Sequence, residues 1–264
     1  MNLQLNGRIA AVAAASKGLG KAVARELLLE GAHVAICSRD QARIEAAAAT
    51  LRQETGGEVA PIGADVSTLS GCQHFIQSAL QRFGGRLDIL VTNAGGPPSG
   101  PIESFDDDAW QAAIQLNLLS TVRMISAALP HLKQSDQGRV IAITSISAKQ
   151  PLNNLVLSNA TRAGVIGYIK SLANELGHTG VTFNAVLPGW TRTARVSELL
   201  ENLARTRGVA PEAVEAGITA AIPARRMARP DEFAAVVAFL ASGRASYLNG
   251  VALQIDGGLS QALL

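Results

Sequence analysis

Aromatic side chains are scarce in this 264-residue chain: they make up 4% of it, and Tyr168 and Tyr247 are its two tyrosines. Chemistry that needs a phenol therefore has two candidates at most. Cysteine is nearly absent, with Cys37 and Cys72 alone, so no disulfide framework is indicated and a reducing compartment fits. Charge is thin, at 17% of residues and a net +2, which excludes a dedicated nucleic-acid binder. No apolar run reaches the roughly 18 residues of a membrane span. Met1 to Arg8 lack the basic-then-apolar pattern of a signal peptide, so a cytoplasmic location away from membranes is expected. The four histidines (His33, His74, His131, His178) show no ligand spacing, and no metal centre is expected. What is abundant is apolar surface, at 48% of residues, which excludes disorder and supplies a substantial core.

Apolar runs of strand length alternate with segments of helix length. Strands are expected at 9–14, 33–38, 58–63, 87–92, 138–144, 181–187 and 251–255. Helices are expected at 17–30, 41–54, 69–83, 106–132, 152–176 and 231–241. The strand runs are continuous rather than alternating, so both sheet faces are buried. Such alternation specifies a parallel sheet with right-handed crossovers and helices on both faces. No linker or repeat divides the chain, and one domain spanning 1–264 is expected. The stretch 188–230 interrupts the alternation, rich in Arg, Glu, Pro and Gly, and reads as an irregular, substrate-covering lid over about 190–228.

Ala14, Ser16, Lys17, Gly18, Leu19 and Gly20 lie in the turn between the first strand and first helix. Glycines there let backbone amides approach a pyrophosphate at a helix N-terminus, where the dipole favours negative charge. Roughly 20 residues beyond such a turn, an acid commonly holds the ribose 2′-hydroxyl of NAD. Here Ser38-Arg39 ends the second strand, and an arginine suits a 2′-phosphate instead. With Lys17 nearby, NADP(H) is favoured over NAD(H), against the competing acid Asp40 one residue later.

With these motifs the chain resembles short-chain dehydrogenases/reductases, in particular 3-oxoacyl-carrier-protein reductases, from about residue 5 to residue 260. Asp65-Val66 resembles the family's adenine-contacting acid after the third strand. Asn93-Ala94-Gly95 ends the fourth strand, where the family's motif lines the cofactor. Asn117 matches the helix asparagine of the catalytic tetrad. Pro188-Gly189 with Thr193 resembles the segment that flanks the nicotinamide, and Asp256-Gly257-Gly258 matches the common C-terminal ending. The resemblance implies a doubly wound, Rossmann-type α/β fold with seven parallel strands. It also implies a small carbonyl or alcohol substrate, and a homodimer or homotetramer paired through the helices near 106–132 and 152–176.

Two departures stand out. The family's turn opens Thr-Gly, whereas this chain has Ala13-Ala14. A Cβ at a position needing positive φ costs on the order of 1–2 kcal/mol, and a slightly re-shaped turn is expected. The family also places a tyrosine thirteen or so residues after its serine and a lysine four later. Ser145 matches the serine, but the other two positions hold Ser158 and Arg162. Spacing of four keeps that pair on one helix face. A serine is a far weaker acid than a phenol, and positioned acid–base catalysis contributes roughly 10²–10⁴-fold. Arg162 keeps the positive charge, could hold the ribose, and cannot shuttle a proton. Tyr168, about 15 Å further along the helix, should not reach the site.

The expected function is thus NADP(H)-dependent reduction of a carbonyl or oxidation of an alcohol at an atypical site made of Ser145, Asn117, Ser158 and Arg162. The alternative is a catalytically weak or inactive NADP(H)-binding or interaction protein on the same scaffold. Lys149 borders the expected substrate loop, where it could donate a proton or bind an anion, though a solvated loop lysine explains it as well. The lid's arginines could attract an anionic or acyl-carrier-linked substrate, though a solvated surface explains them as well. Asp106-Asp107-Asp108 complements the dipole at a helix start.

Overall fold

The computed structural model describes residues 2–263. The strands are β1 (Ile9–Val12), β2 (His33–Ser38), β3 (Val59–Gly63), β4 (Ile89–Thr92), β5 (Arg139–Ile143), β6 (Thr182–Pro188) and β7 (Ala252–Ile255). They form one sheet in the order β3-β2-β1-β4-β5-β6-β7, with every neighbouring pair parallel. The helices are α1 (Gly18–Leu29), α2 (Gln41–Thr55), α3 (Leu69–Arg82), α4 (Asp107–Ala113), α5 (Ser120–Leu132), α6 (Val156–Leu176), α7 (Ala194–Arg207), α8 (Pro211–Ala221) and α9 (Pro230–Ala241).

Strand residues alternate between two cores, as the twofold side-chain period requires. Ala11 and Val140 face one side, with Phe75 of α3, Met124 of α5 and Ile169 of α6. Val12 and Ile141 face the other, with Leu27 of α1, Ile44 of α2 and Phe233 of α9. Every residue of β1, β4 and β5 is buried. At the sheet's N-terminal end, buried Asp88 accepts from the amide of Ile9 at 2.8 Å and from Ser135 Oγ at 2.6 Å, and pairs with Arg86 at 3.0 Å. That carboxylate is fully satisfied and clamps the end opposite the site.

Strand order reverses direction between β1 and β4. β1 leads to β2 on one side, and the chain later returns to place β4 on the other. In open α/β sheets ligands bind at the C-terminal ends of the strands flanking such a switch. The turns after β1, β4 and β5 are therefore the place to look.

Three expectations need correction. The 188–230 stretch is not irregular, since α7 and α8 occupy most of it over a small core of Leu200, Ala204, Val214, Ile222 and Met227. The helix expected from 152 begins at Val156, because residues 151–155 form the preceding loop. Finally, the helical run Asp107–Leu132 is, by length and composition alone, apolar enough to cross a membrane. In the fold it is a core helix, with Met124, Ile125, Ala128 and Leu132 buried against the sheet.

Candidate active site

The turn after β1 keeps a left-handed residue. Ala14 has φ +49° and Gly18 has φ +62°. The expected re-shaping does not occur, because the turn is held from several sides. Ala13 N–H donates to Val91 O at 3.0 Å, and Ala15 N–H donates to Cys37 O at 2.9 Å. Asn93 Nδ2 donates to Ala14 O at 3.3 Å. Neighbouring strands thus hold the backbone where alanine is strained. A Cβ at Gly20 would run into the Ala14 carbonyl, so glycine there permits α1 to start close against the turn. Ser16 and Leu19 line the same turn, half-buried, and the Lys17 side chain projects to solvent.

Beyond β2, Ser38 Oγ donates to Asp40 O at 2.9 Å. The Asp40 carboxylate turns away to cap α2, accepting from Arg43 N at 3.0 Å and pairing with Arg43 Nε at 3.1 Å. The acid that competed with Arg39 is thus engaged, whereas exposed Arg39 pairs with no carboxylate among the described residues. After β3, Asp65 Oδ1 accepts from both the amide and the hydroxyl of Ser67, at 3.0 and 2.8 Å. Val66 is buried, and its carbonyl faces Cys72 Sγ at 3.1 Å.

The C-terminal ends of β4 and β5 bring the remaining residues together. Asn93 and Gly95 follow β4. Ser145 follows β5 and caps the short turn Ile146–Ala148, its Oγ accepting from Ser147 N at 3.1 Å. From α6, Arg162 reaches back to the same strand end. Its Nε donates to Ser158 Oγ at 3.1 Å, and its Nη1 donates to Thr144 O at 2.8 Å. Ser145 and Ser158 each accept through oxygen, so the hydrogen of each hydroxyl remains available for donation. Burial pushes the Arg162 guanidinium down to about 10, with the positive charge of Arg195 adding to the effect. No carboxylate pairs with Arg162 among the described residues. With Nε and Nη1 engaged, it has one terminal nitrogen left for the ribose role expected of it.

Asn117 lies in a π-helical stretch, Ile114–Leu119, between α4 and α5. Such stretches are rare and concentrate at functional sites. Its Nδ2 donates to Ala113 O at 3.3 Å, while its Oδ1 is buried without a partner. Ser147 Oγ and Thr191 Oγ1 are likewise buried and unpartnered. His33 Nδ1 and Thr182 Oγ1, at the opposite ends of their strands, are unpartnered as well.

Pro188 ends β6. Gly189 N–H donates to Ile255 O at 3.0 Å, and a Cβ there would strike Asp256, which explains the glycine. Thr193 caps α7 and stands over Gly18, bringing the 190–228 segment against the turn after β1. Lys17 Nζ pairs with Glu198 of α7 at 3.7 Å. Neither tyrosine is here, since Tyr168 packs against the core and Tyr247 is fully exposed. Lys149 follows the turn after Ser145, and its side chain makes no ion pair among the described residues.

Sequence reasoning missed Arg195, which it counted only as lid charge. From the first turn of α7, Arg195 Nη2 reaches the carbonyl of Pro97, in the loop after β4, at 3.5 Å. Its direction depends on where α7 docks, and no local sequence signal carries that.

The geometry has counterparts among known proteins. The family described as Enoyl-(Acyl carrier protein) reductase matches residues 13–260. Dehydrogenase/reductase SDR family member 4 of Mus musculus is 32% identical over 260 residues, covering 98% of this chain and 89% of the relative. D-beta-hydroxybutyrate dehydrogenase of Cupriavidus necator is 34% identical over 256 residues, covering 96% of this chain and 98% of the relative. L-sorbose reductase from Gluconobacter frateurii, solved with NADPH and L-sorbose, superposes with a TM-score of 0.95 at 30% identity, covering all of both chains.

Proposed function

The chain belongs to the short-chain dehydrogenase/reductase family, and from that membership we propose that it is an NADP(H)-dependent oxidoreductase. On this reading it reduces a small-molecule carbonyl, or oxidises the matching alcohol, at a site built on Ser145, Ser158 and Arg162. The observation that carries the reading is the convergence of two donor hydroxyls and a guanidinium at the end of β5. The 190–228 segment acts as the lid.

The residues fit the cofactor. Gly18 and Gly20 leave room for close backbone approach at the start of α1, where the helix dipole favours a pyrophosphate. Arg39, with Asp40 turned into its helix cap, favours a 2′-phosphate over a bare ribose. The NADPH bound by the sorbose reductase supports the same choice. Asp65, Val66, Asn93, Gly95, Pro188, Gly189 and Thr193 would line the rest of the cofactor's path.

When bound, the nicotinamide supplies the hydride in reduction and accepts it in oxidation. The Ser145 and Ser158 hydroxyls donate to the carbonyl oxygen as charge develops there. Arg162 donates into Ser158 Oγ, which makes that hydroxyl a stronger donor and places positive charge behind it. This is electrostatic stabilisation by preorganised donors. The oxygen takes its proton from Ser158, which is replenished by water. A serine lacks the acidity of a phenol, so turnover should be roughly 10²–10⁴-fold slower than with a tuned acid. Replacing Ser158 with Tyr and Arg162 with Lys together should raise turnover toward that range.

The deciding experiment is calorimetric titration with NADPH and NADH, followed by turnover on a carbonyl panel. NADPH should bind more tightly. Arg39→Ala should weaken NADPH by about 10-fold or more, as expected for a lost charge-assisted pair, with little effect on NADH. Equal affinity for the two cofactors overturns the NADP(H) preference. Binding without any turnover overturns the enzyme reading.

A further inference from the structure

Asp256-Gly257-Gly258 has no part in the chemistry above, yet three parts of the site meet on it. It follows β7 and turns back on itself. The Asp256 carboxylate holds the turn, with Oδ1 accepting from Gly258 N–H at 2.9 Å and Oδ2 from Ser260 N–H at 2.8 Å. Ser260 Oγ accepts in turn from Gln254 Nε2 of β7 at 3.0 Å. The first part it meets is the Pro188-Gly189 segment, where Gly189 N–H donates to Ile255 O and leaves no room for a Cβ beside Asp256. The second is the lid. Ala224 N–H donates to Gly257 O at 3.1 Å. Gly257 (φ +66°) and Gly258 (φ +85°) admit Ile222 and Pro223, which a Cβ would meet at 2.9 and 3.2 Å. Leu259 then packs into both the lid's small core and one of the sheet cores. The third part is the loop of Ser145. Gln261 N–H donates to Gln150 Oε1 at 2.8 Å, and Gln150 N–H donates to Ile146 O at 3.0 Å, closing the turn that Ser145 caps.

We propose that the turn Asp256–Gln261 is the joint that sets the lid against the Ser145 hydroxyl, with Asp256 and Gln150 as its positioning residues. The inference rests on the oxidoreductase reading above and deepens it, naming residues that act through Ser145 without touching substrate. Loops at strand ends shift independently when each is tethered only to its own strand. A turn pinned to all three makes their movements one, because close-packed groups transmit displacement. When Ile222–Ala224 shift, Gly257 and Leu259 shift with them. Gln261 carries the movement to the Ser145 loop through one hydrogen bond.

The test measures kcat and KM for the best compound of the carbonyl panel, and NADPH affinity, in variants of the joint. Gln150→Met keeps the side chain's length and removes the acceptor. Its kcat should fall at least about 10-fold, since misplacement by about 1 Å costs up to 10²-fold, with KM and NADPH affinity changed less than about 2-fold. Gln150→Glu keeps an acceptor oxygen for Gln261 N–H and should restore most of kcat. Asp256→Ala should lower kcat at least as much as Gln150→Met. The double variant should be little slower than the worse single variant, because both act through one joint, and losses that multiply overturn it.

A second measurement needs no turnover. Asp256→Ala should speed amide exchange across 146–150 and 194–221 together, by about 5-fold or more, with β5 unchanged. Acceleration confined to 256–261 overturns the joint, as does uniform acceleration that includes β5. Where Asp256→Ala does not fold, Gln150→Met decides alone, and it should speed 146–150 and 259–261 together. Unchanged kcat and unchanged exchange in Gln150→Met overturn the joint and leave the oxidoreductase reading standing. Linked acceleration of loop and lid in a protein that turns over no compound supports the joint and overturns that reading.

Discussion

Ala14 carries a methyl group in a conformation that L-residues enter at a cost of about 1–2 kcal/mol. Nothing within the turn forces it there. The constraint comes from Cys37 on β2, Val91 on β4 and Asn93 just after β4, all outside the turn. Ala14→Gly should therefore stabilise the fold by about 1 kcal/mol, the relieved strain less the extra entropy of glycine when unfolded. A higher urea midpoint at unchanged slope would register it. The sequence revealed that the position was unusual. It could not reveal that the left-handed conformation survives, because the residues enforcing it are nonlocal. The same limit applies to Asp40, whose competition with Arg39 was visible as adjacency while its engagement by Arg43 depends on where α2 begins. The pairing of Ser158 with Arg162 was legible, by contrast, because spacing of four along a helix is a local property.

Elements were legible where periodicity was strong and sides were buried. All seven strands and the helices packed on the sheet sit within a few residues of their expected positions. The helices α7 and α8 were not recognised, since their apolar residues serve a small separate core and their remaining faces are polar. Their punctuation was present all the same: Thr193 caps α7, Gly208 ends it with φ +65°, and Pro211 opens α8. Thr193 also stands against Gly18, so this cap joins the lid to the phosphate turn. Thr193→Ala should weaken α7 by about 1 kcal/mol, seen as roughly fivefold faster amide exchange across 194–207 with the sheet unaffected. Uniform acceleration throughout the protein would show that the cap supports global rather than local stability.

At the scale of the whole molecule, both thiols report on the integrity of the sheet. Burial pushes Cys37 up to about 12 and Cys72 up to about 11. Native protein at pH 8 should therefore resist thiol reagents, and both residues should label once urea unfolds the chain. The neutral thiols are favoured by folding, so their contribution is complete below the ordinary thiol range near 9. It is lost as pH rises through about 11 to 12. The urea midpoint should fall over that interval, and Cys37→Ala with Cys72→Ala should flatten the decline. The strand order that creates the ligand crevice has another result, during synthesis. β1 hydrogen-bonds to β2 on one side and, through Ala10 and Ile89, to β4 on the other. A nascent chain that has released β3 but not β4 can line up three strands while the outer edge of Ile9–Val12 stays bare. At ordinary elongation rates that window lasts roughly 2–6 s. In those seconds the apolar ribbon that later sits at the centre of the sheet is its exposed margin, open to pairing with another ribosome's product.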